Sequence, residues 1–187
     1  AAEGAIVRKT FANCPVCGPS RSILLTGRYP LSTRVDTNDL PLPEEIPTLG
    51  NYAHDAGYST GYIGKWHLEG MPRDKWVPPG PRRHGFEYWA AYNCSHRYYQ
   101  GKYQTDTPEV IPIPGYEPVT QTDLAIDFLE NQREKPFCLV VSYGPPHDPY
   151  NEVPEEYSAA YDPDKITLRG NARELQTDYH DPARRLG

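Results

Sequence analysis

The sequence has no long apolar run and few aliphatic residues. Its longest strongly apolar stretch is Phe137–Val141, far short of the roughly 20 residues that a membrane-spanning helix needs. Leu, Ile, Val and Phe together number only 34 of 187 residues, although 15 Tyr and 3 Trp add surface that can be buried. A positive charge excess is also missing, since 19 Lys and Arg stand against 25 Asp and Glu. The net charge of −6 therefore argues against a nucleic acid or an anionic membrane as a partner.

Cysteine is scarce as well. The four cysteines, Cys14, Cys17, Cys94 and Cys138, are too sparse for the disulfide framework of a small secreted domain. The amino end lacks an initiator Met and the basic-then-apolar order of a signal peptide, so it resembles the middle of a protein. By contrast 21 Pro and 15 Gly predict a folded, loop-rich chain.

Helical segments alternate with strands and proline-rich connections, which predicts an α/β architecture. Three segments carry this prediction: a helix from Cys17 to Gly27, a helix over 47–56 with a strand over 58–63, and a helix from a Thr122 cap to Glu130 with a strand over 137–143. The region 74–115 is predicted to be a long irregular excursion over the sheet. After Tyr150 we expect no regular structure beyond one turn around Ala172 to Leu175.

Polar side chains follow both predicted strands. Lys65 and His67 come after the first strand, and His147 comes after the second. In open α/β sheets, ligands bind beyond the carboxyl ends of the strands. We therefore expect these three side chains to lie at a ligand site.

Cys17 is predicted at a helix amino terminus, where the helix dipole and free backbone N–H groups stabilise an anion. A redox or zinc pair of Cys14 and Cys17 lacks the second pair that such a site needs. A cysteine phosphatase would place an Arg six positions after its nucleophile. Arg21 is four positions after Cys17 and seven after Cys14, so that chemistry does not fit either.

Two longer stretches resemble the signatures of the type I sulfatases. Residues 17–28, CGPSRSILLTGR, are similar to C-x-P-S-R followed by x-x-L-L-T-G-R, and residues 57–67, GYSTGYIGKWH, match G-Y-x-T-x-x-I-G-K-W-H. The segment around His147, between two prolines and Asp148-Pro149, is similar to the third active-site segment of that family. The resemblance implies an alkaline-phosphatase-like fold, with a mixed sheet flanked by helices.

The resemblance also implies a mechanism. A maturation enzyme would oxidise Cys17 to formylglycine, and one hydroxyl of the aldehyde hydrate would attack sulfur and displace the alcohol. The second hydroxyl would then expel sulfate. Arg21 would hold the formylglycine hydrate and Lys65 would contact sulfate. His67 and His147 would contact sulfate or move protons, with the acid and base roles left undivided.

The same resemblance implies calcium, or another divalent cation, bound by the formylglycine at position 17. The other ligands in the family come from an Asp-Asp pair before the Cys segment and from an Asp with Asn or His well after the third segment. This sequence has no Asp-Asp pair. We therefore expect residues 1–187 to be the central part of a sulfatase catalytic domain, incomplete at both ends, that alone neither binds calcium in this site nor turns over substrate.

The substrate is expected to be a sulfated small molecule or glycan. Aromatic and hydrogen-bonding residues between the second and third segments suit sugar rings, and His96 and Arg97 are candidate substrate contacts. A phosphonate or phosphate diester hydrolase of the same superfamily and an inactive sulfatase-like fragment are the alternatives. Family expectation favours an exported or periplasmic protein, with a cytoplasmic location as the alternative.

Overall fold

The computed structural model describes residues 3–132 and 134–167, so the turn expected around Ala172 to Leu175 lies outside the described residues. Residues up to Val153 form one unit and residues from Pro154 form a second. The first unit contains α1 (Cys17–Thr26), α2 (Pro30–Thr33), α3 (Leu49–Asp55), β1 (Ser59–Lys65), a 3-10 turn (Pro81–Arg83), β2 (Tyr88–Tyr92), β3 (Lys102–Tyr103), β4 (Ile111–Pro112), α4 (Glu117–Asn131) and β5 (Phe137–Ser142). The second contains α5 (Glu155–Ser158) and a 3-10 turn (Pro163–Lys165).

Three parallel strands form the central sheet in the order β2-β1-β5. Strands β3 and β4 pair antiparallel, and an antiparallel bridge between Gln104 and Ala91 joins this ribbon to β2. The described residues therefore combine parallel and antiparallel pairing with flanking helices. The α/β architecture predicted from the sequence is confirmed.

Both faces of the sheet are covered, and successive side chains along a strand pack on opposite faces. On one face Tyr62 of β1 and Trp89 of β2 belong to a core of buried aromatic and aliphatic side chains. On the other face Ile63 and Ala90 pack with Ala125 of α4. Burial on both faces is typical of parallel strands. None of the helices in the described part of the chain combines the length and the apolar character that crossing a membrane requires.

The first helix begins and ends where its sequence indicates. Cys17 is its first residue, and the amide of Gly18 donates to Asn38 Oδ1 at 2.7 Å. Gly27 closes the helix in the left-handed conformation, with φ 67°, and its amide donates to the carbonyl of Ile23, as C-terminal glycines commonly do. The predicted placement of Cys17 at a helix amino terminus is confirmed.

Three predictions about regular structure are wrong. Beyond Tyr150, where the sequence predicts no regular structure before residue 172, the described residues contain α5 (Glu155–Ser158) and a 3-10 turn (Pro163–Lys165). The excursion predicted over 74–115 contains β2, whose YWAAY sequence pairs with β1 because its aromatic and small residues fill both faces of the sheet. The fourth helix begins at Glu117 rather than after Thr122, because Pro118 already occupies its first turn. Thr122 lies inside that helix, where its hydroxyl donates to the Pro118 carbonyl.

Gly64 fixes how closely β1 and β5 approach at the end of the sheet. Its φ is +95°, and a Cβ at this position would lie 2.2 Å from the Ser142 carbonyl oxygen. Only glycine tolerates both the backbone conformation and the contact. This close approach sets the relative positions of Lys65 and Ser142, which the candidate site uses.

Candidate active site

A cavity of about 610 Å³ opens beside the carboxyl ends of β1 and β5. Residues of α1, of the end of β1, and of the segment that follows β5 line it: Cys17, Ser20, Arg21, Leu24, Lys65, Ser142, Tyr143, Gly144, Pro145, Pro146 and His147. Because the strands are parallel, their carboxyl ends meet at the same edge. Four of the predicted site residues, Cys17, Arg21, Lys65 and His147, therefore share one cavity.

Arg21 ties the Cys17 helix to the sheet. Its Nη1 lies 2.7 Å from the carbonyl oxygen of Lys65 and 2.5 Å from Ser142 Oγ. The Tyr62 hydroxyl, which is 3.5 Å from the same nitrogen, donates to the Lys65 carbonyl at 2.8 Å. Arg21 therefore connects α1 with the ends of β1 and β5, and its side chain also lines the cavity.

Lys65 is the buried cation of the site, with only 2% of its surface exposed. Burial lowers its pKa because a charged ammonium is costly to desolvate. Its Nζ lies 3.1 Å from Nε2 of His96. Burial, together with the charge of Lys65, also lowers the pKa of His96 to about 4, so His96 is neutral at pH 7 and accepts this hydrogen bond.

His96 and His147 stack face to face, with ring centroids 4.0 Å apart. His147 Nδ1 lies 2.7 Å from a carboxylate oxygen of Asp148. The ring nitrogen left for the cavity is therefore Nε2. The two histidines connect Lys65 at the end of β1 with the segment that follows β5.

His67 lies two residues after the end of β1, in a left-handed conformation with φ 53°. Its amide donates to the carbonyl of Asn93 at 2.7 Å. Its side chain is buried, and neither ring nitrogen has a hydrogen-bond partner among the described residues. Burial and the nearby charges of Lys65 and Arg21 lower its pKa to about 3.

The two predicted substrate contacts differ in their surroundings. His96 is half-buried between Lys65 and His147, whereas Arg97 is exposed and makes none of the site contacts found within the described residues. Both roles stay predictions.

The structure adds three residues to the site that sequence reasoning missed. Ser142 contacts Arg21. Asn38 contacts the first turn of α1. Arg73, whose carbonyl accepts from the amide of Cys94, acts electrostatically on Lys65 and His67. No pattern marks Asn38 or Arg73, because loops bring them in from outside the three recognisable segments. Ser142 carried a signal, since it lies next to the end of the predicted strand, over 137–143, that precedes His147.

The described residues do not form a calcium site. Among residues 3–132 and 134–167, no three His, Cys, Asp or Glu side chains are grouped so that they could hold a metal ion. Of the ligands predicted from the family, the described residues supply position 17 alone, so they do not fit calcium in that site.

Fold and site together define an α/β protein with a polar cavity at the carboxyl edge of its parallel sheet, lined by a helix amino terminus, Arg21, Lys65 and His147. A family model described as Sulfatase matches residues 1–184. An ulvan-active sulfatase from Formosa agariphila is 41% identical over 160 residues, which cover 84% of this chain and 31% of that protein. An N-acetylglucosamine-6-O-sulfatase from Bacteroides thetaiotaomicron is 31% identical over 152 residues, covering 77% of this chain and 25% of that protein.

Solved structures agree with the sequence relatives. YidJ from Bacteroides fragilis superposes with a TM-score of 0.74 at 30% identity, over 80% of this chain and 38% of that chain. A protein solved with its substrate D-glucosamine-2-N,6-O-disulfate gives a TM-score of 0.60 at 32% identity, over 73% of this chain and 26% of that chain. The chain belongs to the sulfatase family, and the predicted alkaline-phosphatase-like fold is confirmed. It spans about a third of the length of the curated relatives it matches.

Proposed function

We propose that the protein hydrolyses sulfate esters of carbohydrates, with a nucleophile formed from Cys17. The observation that carries the proposal is the convergence of Cys17, Arg21, Lys65 and His147 on one cavity. Membership of the sulfatase family supports it. The sequence relatives reported above are named as sulfatases, and neither of them is named as a phosphonate hydrolase or as an inactive protein.

The formylglycine made from Cys17 by a maturation enzyme would supply an aldehyde hydrate as the attacking group. This chain places position 17 as the first residue of α1. There the helix dipole and the backbone amides of the first turn favour a negatively charged ligand. The sulfuryl group would therefore meet the nucleophile at a point where its oxygens are already stabilised.

Lys65 and Arg21 would neutralise the charge on the sulfuryl oxygens. Arg21 is held at the cavity wall by the Lys65 carbonyl and Ser142 Oγ, and Lys65 is desolvated. A fixed cation in a site with little water stabilises a transition state more than the same cation would in solvent. Both groups are in position before substrate binds, so binding need not reorganise them.

The structure supports a division of the proton chemistry between the two histidines. His67 is neutral at pH 7, because burial and neighbouring cations lower its pKa to about 3, so we do not assign it the role of proton donor. His147 lines the cavity, and its Nδ1 is engaged by Asp148. Nε2 of His147 is therefore the nitrogen that would protonate the leaving oxygen.

The substrate class follows from the relatives and from the charge of the site. The relatives include proteins named for ulvan and for N-acetylglucosamine 6-O-sulfate, so we propose a sulfated glycan. His96, which lies beside Lys65 and His147, would contact parts of the sugar beyond the scissile sulfate. Arg97 stays a candidate contact.

A comparison of leaving-group chemistry tests the proposal. The protein, produced from its full coding sequence with a maturation system, is expected to hydrolyse an aryl sulfate with a higher kcat/KM than the matching aryl phosphonate ester. Cys17→Ala serves as the control and is expected to abolish turnover. Faster cleavage of the phosphonate would assign the protein to the phosphonate hydrolases instead, and turnover of neither ester would support the inactive alternative.

A further inference from the structure

The segment that carries His147 has few ways to hold its own shape. Residues 144–150 read GPPHDPY, and three of these seven residues are prolines without an amide hydrogen. Within the segment, the amide of His147 donates to the Gly144 carbonyl at a long 3.4 Å. A backbone with so few donors depends on donors from other elements to hold its carbonyl groups.

Tyr98 supplies that donor. Its hydroxyl oxygen lies 2.9 Å from the carbonyl oxygen of His147 and 3.2 Å from that of Asp148. The side chain is 1% exposed, so these carbonyls are its partners rather than water. A single phenol group therefore contacts two consecutive peptide units, His147–Asp148 and Asp148–Pro149, which lie on either side of Asp148.

Tyr98 is itself anchored at both of its backbone polar groups. Its amide donates to Glu152 Oε2 at 2.8 Å, and its carbonyl accepts from the amide of Glu117 at 2.8 Å. The first of these bonds reaches the chain just beyond the His147 segment, and the second fixes Tyr98 to the start of α4. Tyr98 therefore links the His147 segment to a rigid helix.

A buried carboxylate supports the other end of the same segment. Glu117 accepts from the Tyr92 hydroxyl at 2.7 Å and from Gln121 Nε2 at 2.9 Å, and it also takes the backbone amide of Gly144. A Cβ on Gly144 would lie 2.7 Å from the Tyr98 ring. Only glycine lets the segment lie this close to Tyr98 and Glu117.

We propose that Tyr98 is a positioning residue that sets the direction of the His147 ring in proton donation. The inference rests on the proposed function, because it assumes that His147 protonates the leaving oxygen. Tyr98 touches no reacting atom. It acts through the peptide groups of His147 and Asp148, which fix both the ring and the carboxylate that engages Nδ1.

The test compares two sulfate esters with different needs for a proton. A sugar sulfate has an alkoxide leaving group that must be protonated, whereas nitrophenol leaves without help. Tyr98→Phe is expected to lower kcat for the sugar sulfate by about 10- to 100-fold, to leave kcat for nitrophenyl sulfate within about twofold, and to leave KM unchanged. Tyr99→Phe removes a hydroxyl from the adjacent exposed tyrosine and is expected to change neither rate.

Glu152→Ala provides a second variant, since it frees the Tyr98 backbone from a partly exposed partner and leaves the phenol in place. Glu152→Ala should also lower kcat for the sugar sulfate, but by less than Tyr98→Phe does. It should leave kcat for nitrophenyl sulfate unchanged. Equal losses on both esters, or no loss with Tyr98→Phe, would overturn the inference while the wild-type activity upheld the proposed function. Failure of the wild type to cleave either ester would refute the proposed function, and the inference with it.

Discussion

Replacing Gly64 by Ala tests whether the close approach of β1 and β5 positions the site. The residue has φ +95°, and the new Cβ would meet the Ser142 carbonyl oxygen at 2.2 Å. A side chain at such a φ costs about 1–2 kcal/mol. Relieving a backbone clash of this kind by shifting strands costs about 1–3 kcal/mol more.

The expected loss of unfolding free energy is therefore about 2–5 kcal/mol, a large share of the roughly 5–15 kcal/mol that a domain has. Urea unfolding followed by circular dichroism measures it. Gly57→Ala is the matched control, because Gly57 has φ +82° but no atom within 4 Å of an added Cβ, so only the backbone cost of about 1–2 kcal/mol applies. Equal losses in the two variants would refute the steric argument.

Three further changes test other parts of the account. Arg21→Lys removes the planar group that reaches both the Lys65 carbonyl and Ser142, and kcat/KM for an aryl sulfate should fall about 100-fold; a loss below about threefold would contradict this role. Asn38→Ala removes the acceptor for the Gly18 amide at the start of α1 and should lower the unfolding free energy by about 1 kcal/mol in urea titrations. An unchanged unfolding free energy would show that this hydrogen bond does not stabilise the helix. His96 has a folded pKa of about 4 against about 6.5 when unfolded, so its contribution to stability is complete above pH 6.5 and is lost as the pH falls towards 4. His96→Gln should flatten that pH dependence of the unfolding free energy, and an unchanged pH dependence would contradict the argument.

Much of the site follows from local sequence because its residues sit beside strong local signals. Cys17 begins a helix that has Pro19 in its first turn and ends at Gly27, Lys65 is the last residue of β1, and His147 lies in the segment that follows β5. Because ligands bind beyond the carboxyl ends of the strands in open α/β sheets, Lys65 and His147 are predicted to lie at the same site. Each of these inferences needs only a short stretch of chain and one rule about parallel sheets.

The parts that sequence reasoning missed depend on contacts between distant segments. The strand over Tyr88–Tyr92 is short and lies among prolines, and it becomes a strand by pairing with β1. The link between Lys65 and His96 depends on that strand, since it places the residues after Tyr92 at the same edge of the sheet. Asn38 and Tyr98 likewise act across 20 and about 50 residues of sequence, where no periodicity or motif can report a contact.

The central claim, that position 17 carries the nucleophile as an aldehyde, is tested most directly by mass spectrometry of the tryptic peptide that spans residues 10–21. The peptide should come from protein that hydrolyses sulfate esters. Cys14 lies in the same peptide and serves as an internal control. The account predicts an aldehyde at position 17 and a thiol at position 14, and an unmodified thiol at both positions in active protein would contradict it.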